Sequence, residues 1–313
     1  MLSHTGNMPP QDVLARLRKH AAGTTGNGEV LAAGARPLAG GRNNAVYEWA
    51  SPDGPVCVKI YRVDDRRRLE REWLSLTILA RHQVPSAPAP LWIDPDPGQP
   101  AIGMTLLPGR PLPDIEDRRE PLQALAAVLR QLAALPLATE LGSMARIDSA
   151  SHYIRRITGI WAPALAGSPR DALTRDLQRI LSQWAESGDA GILAEPAPRI
   201  FSRGDSNLLN WLWDGTRIRC VDFEFAGWSD LPFDCADLIE HISAREIDDQ
   251  TWAETVSSAG LREGDHRRFA AAQRTCALRW LAVLWKQREK RAEEFTVQLD
   301  RVRRLHSGAD ATA

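Results

Sequence analysis

Seven residues, LPGRPLP at 107–113, constrain the fold more than any other stretch of the chain. Pro108, Pro111 and Pro113 lack backbone N–H groups, and Gly109 tolerates left-handed backbone, so neither a helix nor a central strand can run through. On the N-terminal side the apolar residues follow strand spacing. On the C-terminal side they follow helical spacing. A chain with that switch folds as a small β-rich lobe, a hinge and a larger helical lobe. The expected boundaries are 1–104, 105–110 and 111–313. The fold class is therefore α+β, and a bilobal arrangement with a cleft is expected.

The first lobe carries strong local signals. PQDVLARLRKHAAG predicts a helix entered through Pro10 and ended near Gly23. EVLAAGARPLAG, AVYEWASPDG and PVCVKIYR predict strands, and SPDG between the last two predicts a hairpin. Residues 64–82 predict the lobe's main helix, with Leu69, Trp73 and Leu76 on its apolar stripe. APLWID and AIGMTLL predict two more strands joined by PDPGQP. In the second lobe, EPLQALAAVLRQLAAL predicts a helix. SPRDALTRDLQRILSQWAES predicts another, with Ser168 as N-cap and Pro169 at the first helical position. One or two long helices close the chain.

At 313 residues the chain can bury a sizeable core, and 43% hydrophobic with 25% charged residues is ordinary for a globular protein. A formal net charge of −1 provides no global field toward nucleic acid or anionic lipid, so neither is an expected partner. No window approaches the roughly 18 apolar residues of a membrane span, and the N-terminus lacks a signal-peptide core. The expected location is cytoplasmic. Cys57, Cys220, Cys235 and Cys276 show no metal-type spacing, so buried thiols are the expectation.

Helical periodicity in the second lobe breaks at FSRGDSNLLNWLWDGTRIRCVDFEFAG, residues 201–227. Asp205 sits in a tight loop beside Gly204. Asn210 opens a strand-like run, and Asp222 closes the next. A DG turn at 214–215 makes those runs antiparallel, which puts Asn210 and Asp222 at the same end. Hard oxygen ligands without histidine suit Mg²⁺ holding substrate phosphates, and Asp205 is then free to take a proton. Each residue alone is commonplace at a turn; the spacing of all three is what points to chemistry. In the first lobe, Gly40 and Gly41 lie between strands, followed by Asn43 and Asn44. A glycine-bearing β-turn-β can lay N–H groups over phosphates. Lys59 in VCVKIY either faces solvent from an edge strand or pairs with an acid, for which Glu70 and Glu72 stand in the next helix.

Taken together these segments resemble the aminoglycoside phosphotransferase and choline kinase-like family, relatives of the protein kinases. GGRNNAVY, CVKIY, EREWLSLTILA, MTLLPGRPL, SRGDSNLLN, VDFEFAG and PFDCADLIEH match that family's motifs in order, over roughly 36–241. The resemblance implies a protein-kinase-like fold and an ATP-dependent, Mg²⁺-dependent kinase that phosphorylates a hydroxyl of a small acceptor. An aminoglycoside, choline or another amino alcohol, or a sugar derivative would serve. It implies that Lys59 holds the nucleotide's phosphates, paired with Glu72, and that Gly40, Gly41 and Asn44 belong to the nucleotide loop. The Thr105 and Leu106 backbone would meet the adenine ring, floored by Leu212 and Val221. Asp205 would be the catalytic base, with Asn210 and Asp222 as metal ligands. Asp234 would brace the catalytic loop from below. Glu224 fits the pattern without an assigned role.

The chain departs from the family's His-Gly-Asp: it has Arg203-Gly204-Asp205. Arginine adds a cation near the loop, able to lower the carboxylate's pKa if close. It opens the alternative of a nucleotide-binding pseudokinase acting as a sensor, against which the intact Lys59, Asp205, Asn210 and Asp222 speak. A protein kinase is disfavoured because little chain separates Asp222 from PFDCAD, leaving no long activation segment. For the acceptor, Trp228 is the expected aromatic, and Asp230, Glu240, Asp248 and Asp249 either line its site or stand as solvated acids.

Overall fold

Residues that alternate between buried and half-buried positions form the first sheet. Tyr47, Trp49, Val56, Val58 and Ile60 project from adjacent strands into one core. The computed structural model describes residues 9–38, 44–136, 142 and 144–307. Its contacts divide the chain into two compact units, Met1–Arg110 with Leu212–Ala226, and Pro111–Trp211 with Gly227–Ala313.

In the first unit the sheet contains β1 (Ala35–Pro37), β2 (Ala45–Ser51), β3 (Gly54–Ile60), β4 (Pro90–Asp94) and β5 (Ala101–Thr105). The strand order is β1-β2-β3-β5-β4, antiparallel throughout. The SPDG hairpin closes with Ser51 opposite Gly54, as the turn chemistry predicts. Lys59 lies on β3, between β2 and β5, so its strand is interior and the edge-strand alternative falls away.

Helices α1 (Gln11–Ala21) and α2 (Asn27–Ala32) cover one sheet face through Leu14, Leu17 and Val30. Burying a side chain such as Leu17, which is fully enclosed, contributes about 2 kcal/mol. The sequence predicted strand over the α2 segment. A helix forms instead because Val30 alone needs burial there, and a single helical turn supplies it. Gly103 on β5 lies under Trp92 of β4, where a Cβ would stand 2.1 Å from the indole ring.

Helix α3 (Arg68–Arg81) starts later than 64. Arg67 has left-handed backbone, φ +55°, which halts the helix at that end. Asp64 stays outside and pairs with Arg68 at 2.9 Å. The short strands β7 (Trp211–Trp213) and β8 (Ile218–Cys220) lead toward Asp222.

The second unit is largely helical among its described residues, and its β6 (Ile200–Ser202) and β9 (Gly227–Ser229) pair antiparallel with Phe201 opposite Trp228. Its helices include α4 (Arg119–Ala133), α5 (Ala150–Arg156), α6 (Ala172–Glu186), α7 (Leu231–Glu240), α8 (Asp249–Ala259), α9 (His266–Trp285) and α10 (Ala292–Ser307). Trp161, Leu177, Ile180, Trp184, Leu281 and Leu299 share one core. The cap of α6 is Asp171, whose carboxylate accepts from the Thr174 N–H at 2.7 Å. Ser168, the predicted cap, instead donates its hydroxyl to the Ala164 carbonyl and closes the preceding turn. No helix among the described residues is long and apolar enough to cross a membrane.

Candidate active site

In the first unit β3 delivers Lys59 into a nest of acids. Its ammonium lies 2.6 Å from Glu72, 2.6 Å from Asp222 and 3.0 Å from Glu224, and the residue is 5% exposed. Burial alone would push the lysine pKa down. Asp222, Glu72 and Glu224 overcome that and hold it well above its ordinary value.

Glu72 comes from α3, 1% exposed, and connects three pieces of chain. One oxygen accepts from Lys59 and from the Tyr61 hydroxyl. The other accepts from the Phe223 N–H at 3.1 Å. Burial pushes the Glu72 carboxyl up, with Lys59 opposing, and burial followed by Glu72 raises the Tyr61 phenol. Asp222 has left-handed backbone, φ +67°, unusual outside glycine. The Glu72–Phe223 bond fastens the chain directly after it.

Glu224 gains a definite environment. Arg68 reaches it at 3.2 Å, and the Asn44 amide donates to it. Asn44 also accepts from the Arg62 N–H at 3.3 Å. Gly40 and Gly41 lie outside the described residues. Thr105 donates its N–H to the Ala89 carbonyl at 3.0 Å, while Leu106, Leu212 and Val221 are half-buried.

Carboxylate oxygens of Glu72, Asp222 and Glu224 lie within 4.8 Å of one another, a separation that fits a cation. Glu72 is engaged by Lys59, Tyr61 and Phe223, and Glu224 by Lys59, Arg68 and Asn44, whereas Asp222 is half-buried and is the carboxylate of the three best placed to take a hard divalent ion. The sequence offered Glu224 only as a pattern match. Arg68 it did not mark at all, since the third arginine of DDRRRLERE looks like part of a solvated face.

The second unit holds Asp205 and Asn210. The Asp205 carboxylate accepts from the Asn207 N–H at 2.9 Å and from the Asn210 side-chain amide at 2.6 Å. With its NH₂ group turned to Asp205, Asn210 has its carbonyl oxygen as the atom suited to a metal. Gly204 has φ +82°, a conformation only glycine adopts without strain, and this bends the chain between Arg203 and Asp205.

Beneath the loop lies a buried network. Arg146, 3% exposed, donates to Asp234 at 2.7 Å, to Asp237 and to the Gly204 carbonyl at 2.9 Å. Asp237 also accepts from Ser206 at 2.5 Å and from the Tyr153 hydroxyl at 2.9 Å. Asp234, the predicted brace, thus acts through Arg146, and Asp237 one turn further along α7 makes the direct contact. Burial leads the shifts: it raises Asp237, whereas Arg146 stays well above its ordinary value because Asp237 and Asp234 outweigh its own burial. Leu208 N–H donates to Ser243 at 2.9 Å, and Ser243 bonds His241 at 2.7 Å.

The acids weighed either as an acceptor lining or as solvated surface acids all have caps or arginine pairs to make. Asp230 caps α7 and pairs with Arg268 at 2.7 Å. Glu240, fully buried, pairs with Arg301 and Arg245. Asp248 caps α8, and Asp249 pairs with Arg301 at 2.7 Å. Trp228 has the Arg199 guanidinium 4.1 Å from its ring centroid, so one indole face is already covered by a cation.

A sequence profile described as phosphotransferase enzyme family matches residues 34–272. No curated protein matches the chain. Among solved structures, a choline/ethanolamine kinase family protein from Mesorhizobium loti superposes with TM-score 0.58 at 18% identity, covering 87% of each chain. Spectinomycin phosphotransferase, solved with ADP and spectinomycin, gives 0.63 at 13% identity over 85% of this chain and 88% of that one. An aminoglycoside phosphotransferase from Streptomyces rimosus gives 0.57 at 20% identity over 87% of this chain and 100% of that one. At such identities the likeness is one of fold, the protein-kinase-like α+β fold.

Proposed function

The chain belongs to the phosphotransferase enzyme family, and on that footing we propose that it transfers the γ-phosphoryl group of ATP to a hydroxyl of a small acceptor. An aminoglycoside, choline or another amino alcohol, or a sugar derivative fits the expectation from the sequence. The observation that carries the proposal is Lys59 held at 2.6 Å by both Glu72 and Asp222 on an interior strand. A buried ammonium gathered with that many carboxylates is costly for stability alone, and it suits a site that exchanges carboxylate partners for phosphates.

Lys59 holds the α/β-phosphates, with Glu72 fixing its position. The Thr105 carbonyl and the Leu106 backbone meet the adenine ring, because the Thr105 N–H is engaged by Ala89. Leu212 and Val221 supply apolar contact to the ring, and Asn44 with Gly40 and Gly41 forms the phosphate loop. Asn210 and Asp222 would hold Mg²⁺, which when bound neutralises charge on the phosphates. Asp205 orients the acceptor hydroxyl and takes its proton as the oxygen–phosphorus bond forms and the bond to ADP breaks. In a loose phosphoryl-transfer transition state most of the catalysis is positioning and charge stabilisation, which these residues provide.

The test is ATP consumption with Mg²⁺ against a panel of hydroxylated amines and sugars. Turnover that requires both metal and acceptor, and that Lys59→Ala reduces severely, supports the proposal. Nucleotide binding without turnover on any acceptor favours a sensor.

A further inference from the structure

Arg203 is the residue at which the chain departs from the family's histidine, and its side chain is 5% exposed. The guanidinium donates to the main-chain carbonyl of Asp205. It also lies over the Trp211 indole, 5.4 Å from the ring centroid. Asp205 and Trp211 stand at the two ends of the catalytic loop, and Trp211 directly follows Asn210. One side chain therefore touches both ends of the segment that carries both polar groups. A guanidinium does this well because it is planar and permanently charged, able to stack on a ring while donating in its own plane.

The surroundings accommodate that charge. His241, 8% exposed, is kept neutral down to about pH 3 by burial, then by Arg245 and Arg203. A neutral imidazole accepts no second positive charge beside Arg203, and it anchors Ser243, which receives the Leu208 N–H.

We infer that Arg203 is a positioning residue, a staple from the Asp205 carbonyl to the Trp211 ring that sets the aim of the Asp205 carboxylate and the Asn210 amide. Its role rests on that of Asp205 as the base. Arg203 then acts on the chemical step and leaves nucleotide affinity alone.

The experiment compares wild type with Arg203→Met, Arg203→His and Arg203→Lys, measuring kcat, KM for ATP, nucleotide Kd and thermal midpoint. In Arg203→Met, kcat falls by about 10²-fold, as for a misplaced catalytic group, with nucleotide Kd within about twofold. Arg203→His recovers most of the loss, because an imidazole N–H can reach the same carbonyl from a flat ring, and it outperforms Arg203→Lys. Wild-type kcat in Arg203→Met, or parallel losses of kcat and nucleotide affinity, overturns the inference. So does a lysine variant that equals or betters the histidine variant, a comparison that holds even where Arg203→Met does not fold. Wild type without turnover on any acceptor overturns the kinase function and this role with it; active wild type with an unimpaired Arg203→Met overturns the role alone.

Discussion

The Phe223 N–H donates to Oε1 of Glu72 at 3.1 Å while the other oxygen of the same carboxylate holds Lys59. Helix α3 thereby ties the lysine strand to the residue after Asp222, whose backbone is left-handed. Replacing Glu72 with Gln weakens both ties at once. Lys59 retains Asp222 and Glu224, so the cost is smaller than for an orphaned charge, about 1–3 kcal/mol. The expected outcome is a lower thermal midpoint and a raised KM for ATP. An unchanged KM contradicts the role given to Glu72.

Arg146 is the second such junction. Arg146→Met leaves Asp237 buried, and Asp234 half-buried, without their cation, and breaking the buried Arg146–Asp237 pair costs about 3–5 kcal/mol. Arg146→Lys restores charge without the fork geometry and recovers only part. Chemical denaturation of the three proteins measures this. A Met variant as stable as wild type contradicts the network.

His241 gives the pH dependence. Its folded-state pKa is about 3 against an ordinary 6.5, so it adds stability that is full above pH 6.5 and is lost as pH falls toward 3. The loss is on the order of a few kcal/mol across that interval. Burial, then Arg245 and Arg203, lower the value, and Asp148 opposes them. Thermal midpoints of wild type and His241→Gln therefore converge as pH falls from 6.5 to 4. Parallel curves contradict a buried neutral imidazole.

Gly103 tests the sheet. Gly103→Ala forces a methyl into Trp92, and overpacking of that kind costs typically 1–3 kcal/mol. Pairing it with Trp92→Leu restores part of the loss if the clash is the cause.

Much of this was legible in the chain itself. A lysine inside VCVKIY contradicts its apolar neighbours, and that local conflict singles out Lys59. The SPDG turn and the 107–113 break mark elements by backbone chemistry, independent of tertiary contacts. Arg146, Arg68 and Asp237 carry no such mark. Each is a charged residue with a partner far away in sequence, as Arg146 has Gly204 and Arg68 has Glu224, so only the folded chain reveals the pairing. The α2 segment misleads for the opposite reason: six residues are too few for periodicity to separate helix from strand. Asp230, Glu240, Asp248 and Asp249 stay open between an acceptor lining and solvated acids in the sequence because helix caps and surface pairs use the same residue types as a cation site.

The most direct test of the central claim follows phosphorylated product from ATP, Mg²⁺ and a turned-over acceptor, in wild type and Asp205→Asn, with nucleotide affinity measured alongside. The account predicts product from wild type, a fall of roughly 10²–10⁴-fold in kcat on losing the base, and nucleotide affinity within a fewfold. Equal turnover in the two proteins, or bound nucleotide with no phosphorylated product from wild type, would contradict it.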